Sequence, residues 1–158
     1  MEGTVMDTIV VATDGSPASR EAVRFALELA KEHESKVYFV HVVPELHVVP
    51  TNGMGMVGAM QREVTDEDYR SLHDAEALAE DEGVWARTAM LRGDAVAEIV
   101  AYADNLAADL IVVGSRGHGA LASALLGSVS RGLLSESRRP VMVVRGVHDI
   151  EAQAAVTR

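Results

Sequence analysis

Five short runs of aliphatic residues alternate with segments whose apolar residues recur at helical spacing, and this alternation limits the folds open to the chain. The runs occupy positions 8–13, 36–43, 84–91, 109–113 and 141–144, and most of their residues are apolar. Strands without a polar face are typical of a parallel sheet that is covered on both sides. We therefore predict an α/β fold, a single doubly wound domain with a five-stranded parallel sheet and helices on both faces.

Helices are predicted between these strands, where apolar residues recur every three or four positions. Ser16 favours the start of the first helix because its side chain caps free N–H groups, and Pro17 suits the first helical position. The predicted helices cover the ranges 17–34, 69–83, 96–106 and 127–136. We expect the domain to span 1–147 and the tail at 148–158 to be frayed.

The segment 44–60 interrupts both patterns. It contains two prolines and three glycines, so we expect a long loop without regular structure. Loops of this length are usually lids or other functional segments, and methionines at positions 54, 56 and 60 would suit a lid or a partner surface. An insertion without a role is the alternative.

The acidic balance of the chain disfavours one class of partner. Its 24 acidic residues outnumber its 14 basic residues, which gives a net charge of −10. Because binding to a nucleic-acid backbone calls for a basic face, we expect no nucleic-acid partner. Lys31 and Lys36 are its only lysines. This scarcity is explained either by solubility at high salt in a halophile or by compositional drift.

Cysteine is absent, which excludes a disulfide scaffold, a thiolate metal site and a cysteine nucleophile. The N-terminal segment lacks the pattern of a signal peptide, and no apolar stretch approaches the roughly 18 residues that span a bilayer. We therefore expect a cytoplasmic protein without a membrane partner. The six histidines lack metal-ligand spacing. His41, on an apolar strand, is expected to be a core or hydrogen-bonded residue rather than a catalytic one.

A glycine-rich segment follows the fourth predicted strand and leads into the last helix, over positions 114–119 and 127–130. Glycine lets the backbone approach an anion closely, and a helix N-terminus directs free N–H groups and a positive dipole end toward it. Ser128 and Ser130 add hydroxyl donors, and Arg116 adds positive charge. The segment predicts a phosphate-binding loop, although glycines that merely turn the chain are the alternative.

This segment lacks the features of nucleotide-consuming sites. It has neither the lysine of a Walker P-loop nor the glycine fingerprint of dinucleotide-binding proteins. No evident general base lies beside it, whereas phosphoryl transfer requires dense positive charge and a positioned nucleophile. We expect a site that binds a phosphate-bearing ligand with little or no turnover. The alternatives are a slow ATPase or nucleotidyl-transfer enzyme, in which Asp14 or His118 acts on the phosphates, and a dimerising scaffold that binds no nucleotide.

The spacing of these glycines resembles a known motif. Gly114, Gly117, Gly127 and Ser128 match the pattern G-x2-G-x9-G-[ST] of the ATP-binding universal stress proteins. The resemblance extends over positions 7–145 and also involves the segments 14–16, 39–42, 109–117 and 140–144.

The resemblance implies the strand order 3-2-1-4-5 and a homodimer that pairs through the last strand, around Val141 and Val143. It implies an adenine nucleotide, ATP or its relatives AMP and ADP, in a stress-response or regulatory protein. Asp14 would lie at the ribose, and the backbone of Val42 would contact the adenine. Any Mg²⁺ would arrive bound to the phosphates. The candidate nucleotide-binding residues are Thr13, Asp14, Val42, Gly93, Gly114, Ser115, Arg116, Gly117, His118, Gly127, Ser128, Val129 and Ser130.

Overall fold

The computed structural model describes residues 5–48, 58–117 and 126–146. In chain order the elements are β1 (Thr8–Ala12), α1 (Pro17–His33), β2 (Lys36–Val43), β3 (Glu45–Val48), β4 (Gly58–Gln61), α2 (Asp66–Asp81), β5 (Ala86–Arg92), α3 (Ala95–Asn105), β6 (Leu110–Gly114), α4 (Ser128–Glu136) and β7 (Val141–Val144). No helix within these three ranges is long and apolar enough to cross a membrane. Residues 148–158, for which a frayed tail is expected, lie outside them.

Five of the strands form a parallel sheet in the order β5-β2-β1-β6-β7. Counted among these five strands alone, this is the order 3-2-1-4-5, and the predicted fold class is confirmed. β1 is central, and its Val10 is paired with Tyr38 of β2 on one side and with Ile111 of β6 on the other. The strand order reverses between β1 and β6, which leaves a crevice at their carboxyl ends where ligands of such folds bind.

Helices cover both faces of the sheet, because successive side chains of β1 point to opposite faces. Ile9 and Val11 belong to a core formed with α1 and α2, which also contains Phe39. Val10 belongs to a second core formed with α3 and α4, together with Ile111. All five side chains are completely buried, as expected for strands without a polar face.

Two helix starts border the crevice, and local sequence signals fix both. Ser16 precedes α1 and accepts the N–H of Ser19 at 3.3 Å, while Pro17 takes the first helical position, as predicted. Asp94 caps α3 in the same way by accepting the N–H of Ala97 at 2.9 Å. Because these caps follow the carboxyl ends of β1 and β5, they also fix the loops that surround the crevice.

The prediction of a loop without regular structure over 44–60 is wrong at its two ends. β3 and β4 form a two-stranded antiparallel sheet in which Glu45 is paired with Gln61. These two segments contain no continuous apolar run that would predict a strand, and their pairing joins segments that are separated along the chain. The intervening positions 49–57, which contain Met54 and Met56, lie outside the described residues.

Candidate functional site

A cavity of about 820 Å³ opens at the carboxyl ends of β1, β2 and β6, beside the start of α4. It occupies the crevice where the strand order reverses. Among the residues predicted from the sequence to bind a nucleotide, all that the structure describes line it except Ser115. The predicted residues that line it are Thr13, Asp14, Val42, Gly93, Gly114, Arg116, Gly117, Gly127, Ser128, Val129 and Ser130.

Ser115 lies behind the cavity wall and not on it. The residue is completely buried, its N–H donates to the carbonyl of Val144 at 2.7 Å, and its carbonyl accepts the N–H of Gly127 at 2.6 Å. It therefore ties the glycine-rich loop to β7 and to α4, and its expected direct contact with a nucleotide gains no support. His118 lies outside the described residues.

The loop after β1 presents the carboxylate of Asp14 to the cavity. Gly15 follows with a φ of 77°, a conformation that favours glycine and turns the chain into α1. Oδ1 of Asp14 accepts the N–H of Ser16 at 2.9 Å, and the Ser16 hydroxyl donates to the carbonyl of Arg116 at 3.3 Å. These bonds join the loop after β1 to the loop after β6, where Gly117 lies directly against the Asp14 carboxylate.

The glycines of the motif serve different purposes. A β-carbon at Gly114 would lie 2.7 Å from backbone atoms of both Ala18 and Ser19, so α1 approaches β6 too closely for any side chain. Close packing therefore explains Gly114 without a ligand. At Gly127 the nearest atoms to such a carbon would be 3.4 Å away, which is ordinary contact, so packing does not explain that glycine.

The first turn of α4 forms one end of the cavity. The helix follows Gly127, so no side chain caps it, and the first N–H groups of such a helix attract anions. Ser128 is exposed and lines the cavity. Ser130 is buried, and its hydroxyl lies 3.0 Å from the carbonyls of both Ser115 and Gly127. Of these two serines, Ser128 therefore has the hydroxyl better placed for a ligand, whereas Ser130 fastens the loop to the helix.

The backbone of Val42 projects beyond the end of β1. The carbonyl of Val40 accepts the N–H of Thr13 at 2.9 Å, so this side of β2 faces β1. Backbone groups two residues further along a strand point the same way. Since β1 ends at Ala12, the N–H and C=O of Val42 point past it toward the cavity that Val42 lines. They form an adjacent donor and acceptor that suit the edge of a flat heterocycle.

A charged cluster that sequence reasoning missed forms the wall on the α2 side. Arg62 donates two hydrogen bonds to the carboxylate of Asp68, at 2.6 and 3.0 Å, and Asp68 is only 7% exposed. The Arg62 guanidinium holds the pKa of Asp68 well below its usual range, although burial opposes this shift. Thr65 donates its N–H and its hydroxyl to the same carboxylate, and His41 contacts it at 3.0 Å.

One local signal for this cluster is present in the sequence. An acidic residue three positions after Thr65 is typical of a helix start, because the carboxylate reaches back to the N–H of the capping residue, as Asp68 does. Arg62 and His41 come from other segments, and only the folded chain brings them to Asp68. The expectation that His41 is a hydrogen-bonded residue is confirmed, since its ring contacts Thr13 and Asp68.

Charges of both signs line the cavity, among them Asp14, Arg116 and Arg131. The arginines favour an anion, and the carboxylate favours hydroxyl groups that donate to it. Within the part of the chain that the structure describes, no group of three or more histidine, aspartate or glutamate side chains is arranged to bind a metal ion.

Comparison with known proteins identifies a family match over nearly the whole chain. Residues 6–145 match the model of the universal stress protein family. A universal stress protein of Methanocaldococcus jannaschii is 36% identical over 137 residues, which cover 87% of this chain and 81% of that protein.

Two solved structures of similar proteins contain ligands. A universal stress protein in complex with cAMP is 27% identical, with a TM-score of 0.66 and coverage of 89% of this chain and 98% of that chain. A universal stress protein from Archaeoglobus fulgidus in complex with dAMP is 25% identical, with a TM-score of 0.62 and coverage of 89% and 99%. The similarity to both extends over most of this chain.

Proposed function

The chain belongs to the universal stress protein family, and we propose that it is a cytoplasmic stress-response or regulatory protein that binds one adenine nucleotide. One observation carries the proposal: a single cavity unites the Asp14 carboxylate, the backbone of Val42 and the start of α4. The complexes of similar proteins with cAMP and dAMP support it, because both ligands are adenine nucleotides.

In this proposal the nucleotide lies across the crevice between β1 and β6. The adenine edge contacts the N–H and C=O of Val42, and the Asp14 carboxylate accepts hydrogen bonds from the ribose. The phosphates lie at the first turn of α4, where Ser128, Arg116 and the backbone N–H groups stabilise their charge. ATP, ADP and AMP share these features, and Mg²⁺ would accompany ATP through its phosphates.

We propose binding with little or no turnover. The phosphate end of the cavity offers backbone N–H groups, a serine hydroxyl and arginines, which stabilise a bound anion. Within the described lining there is no lysine, and the two lysines of the chain lie in α1 and at the start of β2. The dense positive charge of a phosphoryl-transfer site is therefore not assembled by these residues. Slow ATP hydrolysis is the alternative.

Two assays on one preparation test this function. The purified protein is denatured without added nucleotide, and the released small molecules are identified by mass spectrometry. The native protein is assayed in parallel for ATP turnover. We expect an adenine nucleotide in near-stoichiometric amount and turnover far below about 1 per second, the low end of typical enzymes. If no nucleotide is released and the protein also fails to bind added AMP or ATP, the proposal is contradicted. ATP turnover at about 1 per second or faster would show that the protein is an enzyme.

We also propose that two copies pair through β7. This strand is the last in the sheet, so its outer backbone groups face away from β6. All four of its residues, including Val141 and Val143, are only half-buried. Sedimentation velocity of the full chain tests the pairing: the proposal expects a species of twice the chain mass, and a single species of the monomer mass would contradict it.

A further inference from the structure

The ring of His41 lies between two groups that accept hydrogen bonds and do not donate them. Nδ1 is 2.8 Å from the carbonyl oxygen of Thr13, at the end of β1. Nε2 is 3.0 Å from Oδ1 of Asp68, in the first turn of α2. Asp68 is ionised because the Arg62 guanidinium lowers the pKa of its carboxyl. Each ring nitrogen therefore needs its own proton to form a hydrogen bond.

Only the imidazolium form of His41 satisfies both contacts, because a neutral imidazole carries one N–H. Loss of the second proton to solvent leaves a nitrogen lone pair facing an oxygen lone pair across one contact. The Asp68 carboxylate is charged and is fixed by Arg62 and Thr65, so it retains the remaining N–H. The contact that opens is the one to Thr13.

The charged groups around the ring come from separate elements. Asp68 of α2 places a negative charge beside the ring, and Arg62, which shares Oδ1 of that carboxylate, places a positive charge behind it. The Asp14 and Glu67 carboxylates line the same cavity as the ring. The ring is largely enclosed, with 12% of its side chain exposed.

We propose that His41 is a positioning residue for the nucleotide site: its protonated ring fastens the carbonyl of Thr13, holds the adjoining Asp14 in place and favours nucleotide binding. This inference rests on the proposed function. Thr13 is also held through its N–H, which donates to the carbonyl of Val40 at 2.9 Å. Loss of the His41 proton therefore loosens this segment but does not detach it from β2. Nucleotide binding and ring protonation then stabilise each other, because coupling between two sites is reciprocal.

The pH dependence of cAMP binding tests the coupling. The phosphodiester of cAMP keeps one charge over the whole range, whereas a phosphomonoester titrates near pH 6. We expect the affinity of the unmodified protein to fall about tenfold between about pH 5.5 and 8.5, within the usual range for coupled sites. In His41→Gln the affinity should be lower and nearly independent of pH. His33→Gln, which changes an exposed histidine in the last turn of α1, should keep the original profile.

Nuclear magnetic resonance of the nucleotide-free protein provides a second readout, because it follows the His41 ring and the Asp14 amide directly. The Asp14 amide adjoins the Thr13 carbonyl and should shift with the same midpoint as the ring. That midpoint should move to higher pH when cAMP binds. The inference would be overturned if the chemical shift of the Asp14 amide did not change as the His41 ring titrates. It would also be overturned if His41→Gln kept the pH profile of the unmodified protein. Absence of cAMP binding at every pH would instead overturn the proposed function, while the nucleotide-free titration still decides whether His41 controls Thr13 and Asp14.

Discussion

The carboxylate of Asp14 occupies the space where a side chain at Gly117 would begin. Oδ2 of Asp14 lies 2.5 Å from the position that a β-carbon at Gly117 would take, which is closer than two such atoms approach in proteins. The first residue follows β1 and the second follows β6, so the contact spans the point where the strand order reverses. Glycine at this position thus allows Asp14 to keep its orientation in the proposed ribose site.

Gly117→Ala should therefore reduce nucleotide affinity far more than stability. The added carbon meets the end of one side chain, which can turn away, and Gly117 itself is exposed, so the free energy of unfolding should change by less than about 1 kcal/mol. We expect affinity for AMP to fall roughly tenfold or more, because the displaced carboxylate loses a charged hydrogen bond. Calorimetric titration and chemical denaturation measure the two effects.

Gly146→Ala is the matched control for this prediction. A β-carbon there would lie 3.4 Å from Ala18, an ordinary contact, and its backbone does not require glycine. Its AMP affinity should equal that of the unmodified protein. Equal losses of affinity in both variants would show that the contact with Asp14 has no special role.

Asp14→Asn should weaken binding without disturbing the turn. An asparagine oxygen still accepts the N–H of Ser16, the bond that Asp14 makes at 2.9 Å. The lost charge removes a strong acceptor for ribose hydroxyls, so AMP affinity should fall roughly ten- to hundredfold. In the control Asp109→Asn the affected carboxylate accepts the N–H groups of Asp7 and Thr8 at the amino end of β1, far from the cavity. Loss of affinity in that control and not in Asp14→Asn would contradict the proposed ribose site.

Truncation of the two serines of α4 should have different effects, one on nucleotide affinity and the other on stability. Ser128→Ala removes an exposed hydroxyl at the proposed phosphate end, so affinity for AMP should fall roughly two- to tenfold with unchanged stability. Ser130→Ala removes a buried hydroxyl that ties Ser115 to Gly127, and it should lower the free energy of unfolding by about 1 kcal/mol. AMP binding and urea denaturation of both variants test this prediction. It is contradicted if Ser130→Ala alone lowers the affinity and Ser128→Ala alone lowers the free energy of unfolding.

Asp68 should make the stability of the protein depend on pH in the acid range. Its folded-state pKa is lowered, first by the hydrogen bonds from Arg62, so the ionised carboxylate stabilises the fold. That contribution is complete above the unfolded pKa, about 3.9, and is lost as the pH falls below it. Asp68→Asn should be less stable by about 1–3 kcal/mol at pH 7, and the difference should shrink toward pH 3. A difference that stays constant over this range would contradict the assignment.

The strands of the main sheet could be predicted because each is a mostly apolar run with turn signals beside it, as at Gly15 and Gly93. The β3–β4 pair could not, because neither segment is a continuous apolar run and each depends on a distant partner. Boundaries shifted slightly: Asp109, predicted as a strand residue, precedes β6 and caps the start of β1.

Within the site, most of the residues predicted from the sequence line one cavity, but the sequence did not show what each one does. Gly114 and Gly117 are alike in the motif, yet only the structure shows that the first allows a helix to approach and the second borders a carboxylate. The charged wall was missed because Arg62, His41 and Asp68 lie on separate segments, and their hydrogen bonds exist only in the folded chain.

Equilibrium dialysis with labelled ATP tests the central claim most directly, because it counts bound nucleotides without relying on a heat or a spectral change. The unmodified protein should saturate at one nucleotide per chain, unlabelled AMP should displace the label, and Gly117→Ala should require roughly tenfold more nucleotide for half-saturation. Absence of saturable binding, or saturation that is identical in Gly117→Ala, would contradict the assignment of this cavity as an adenine-nucleotide site.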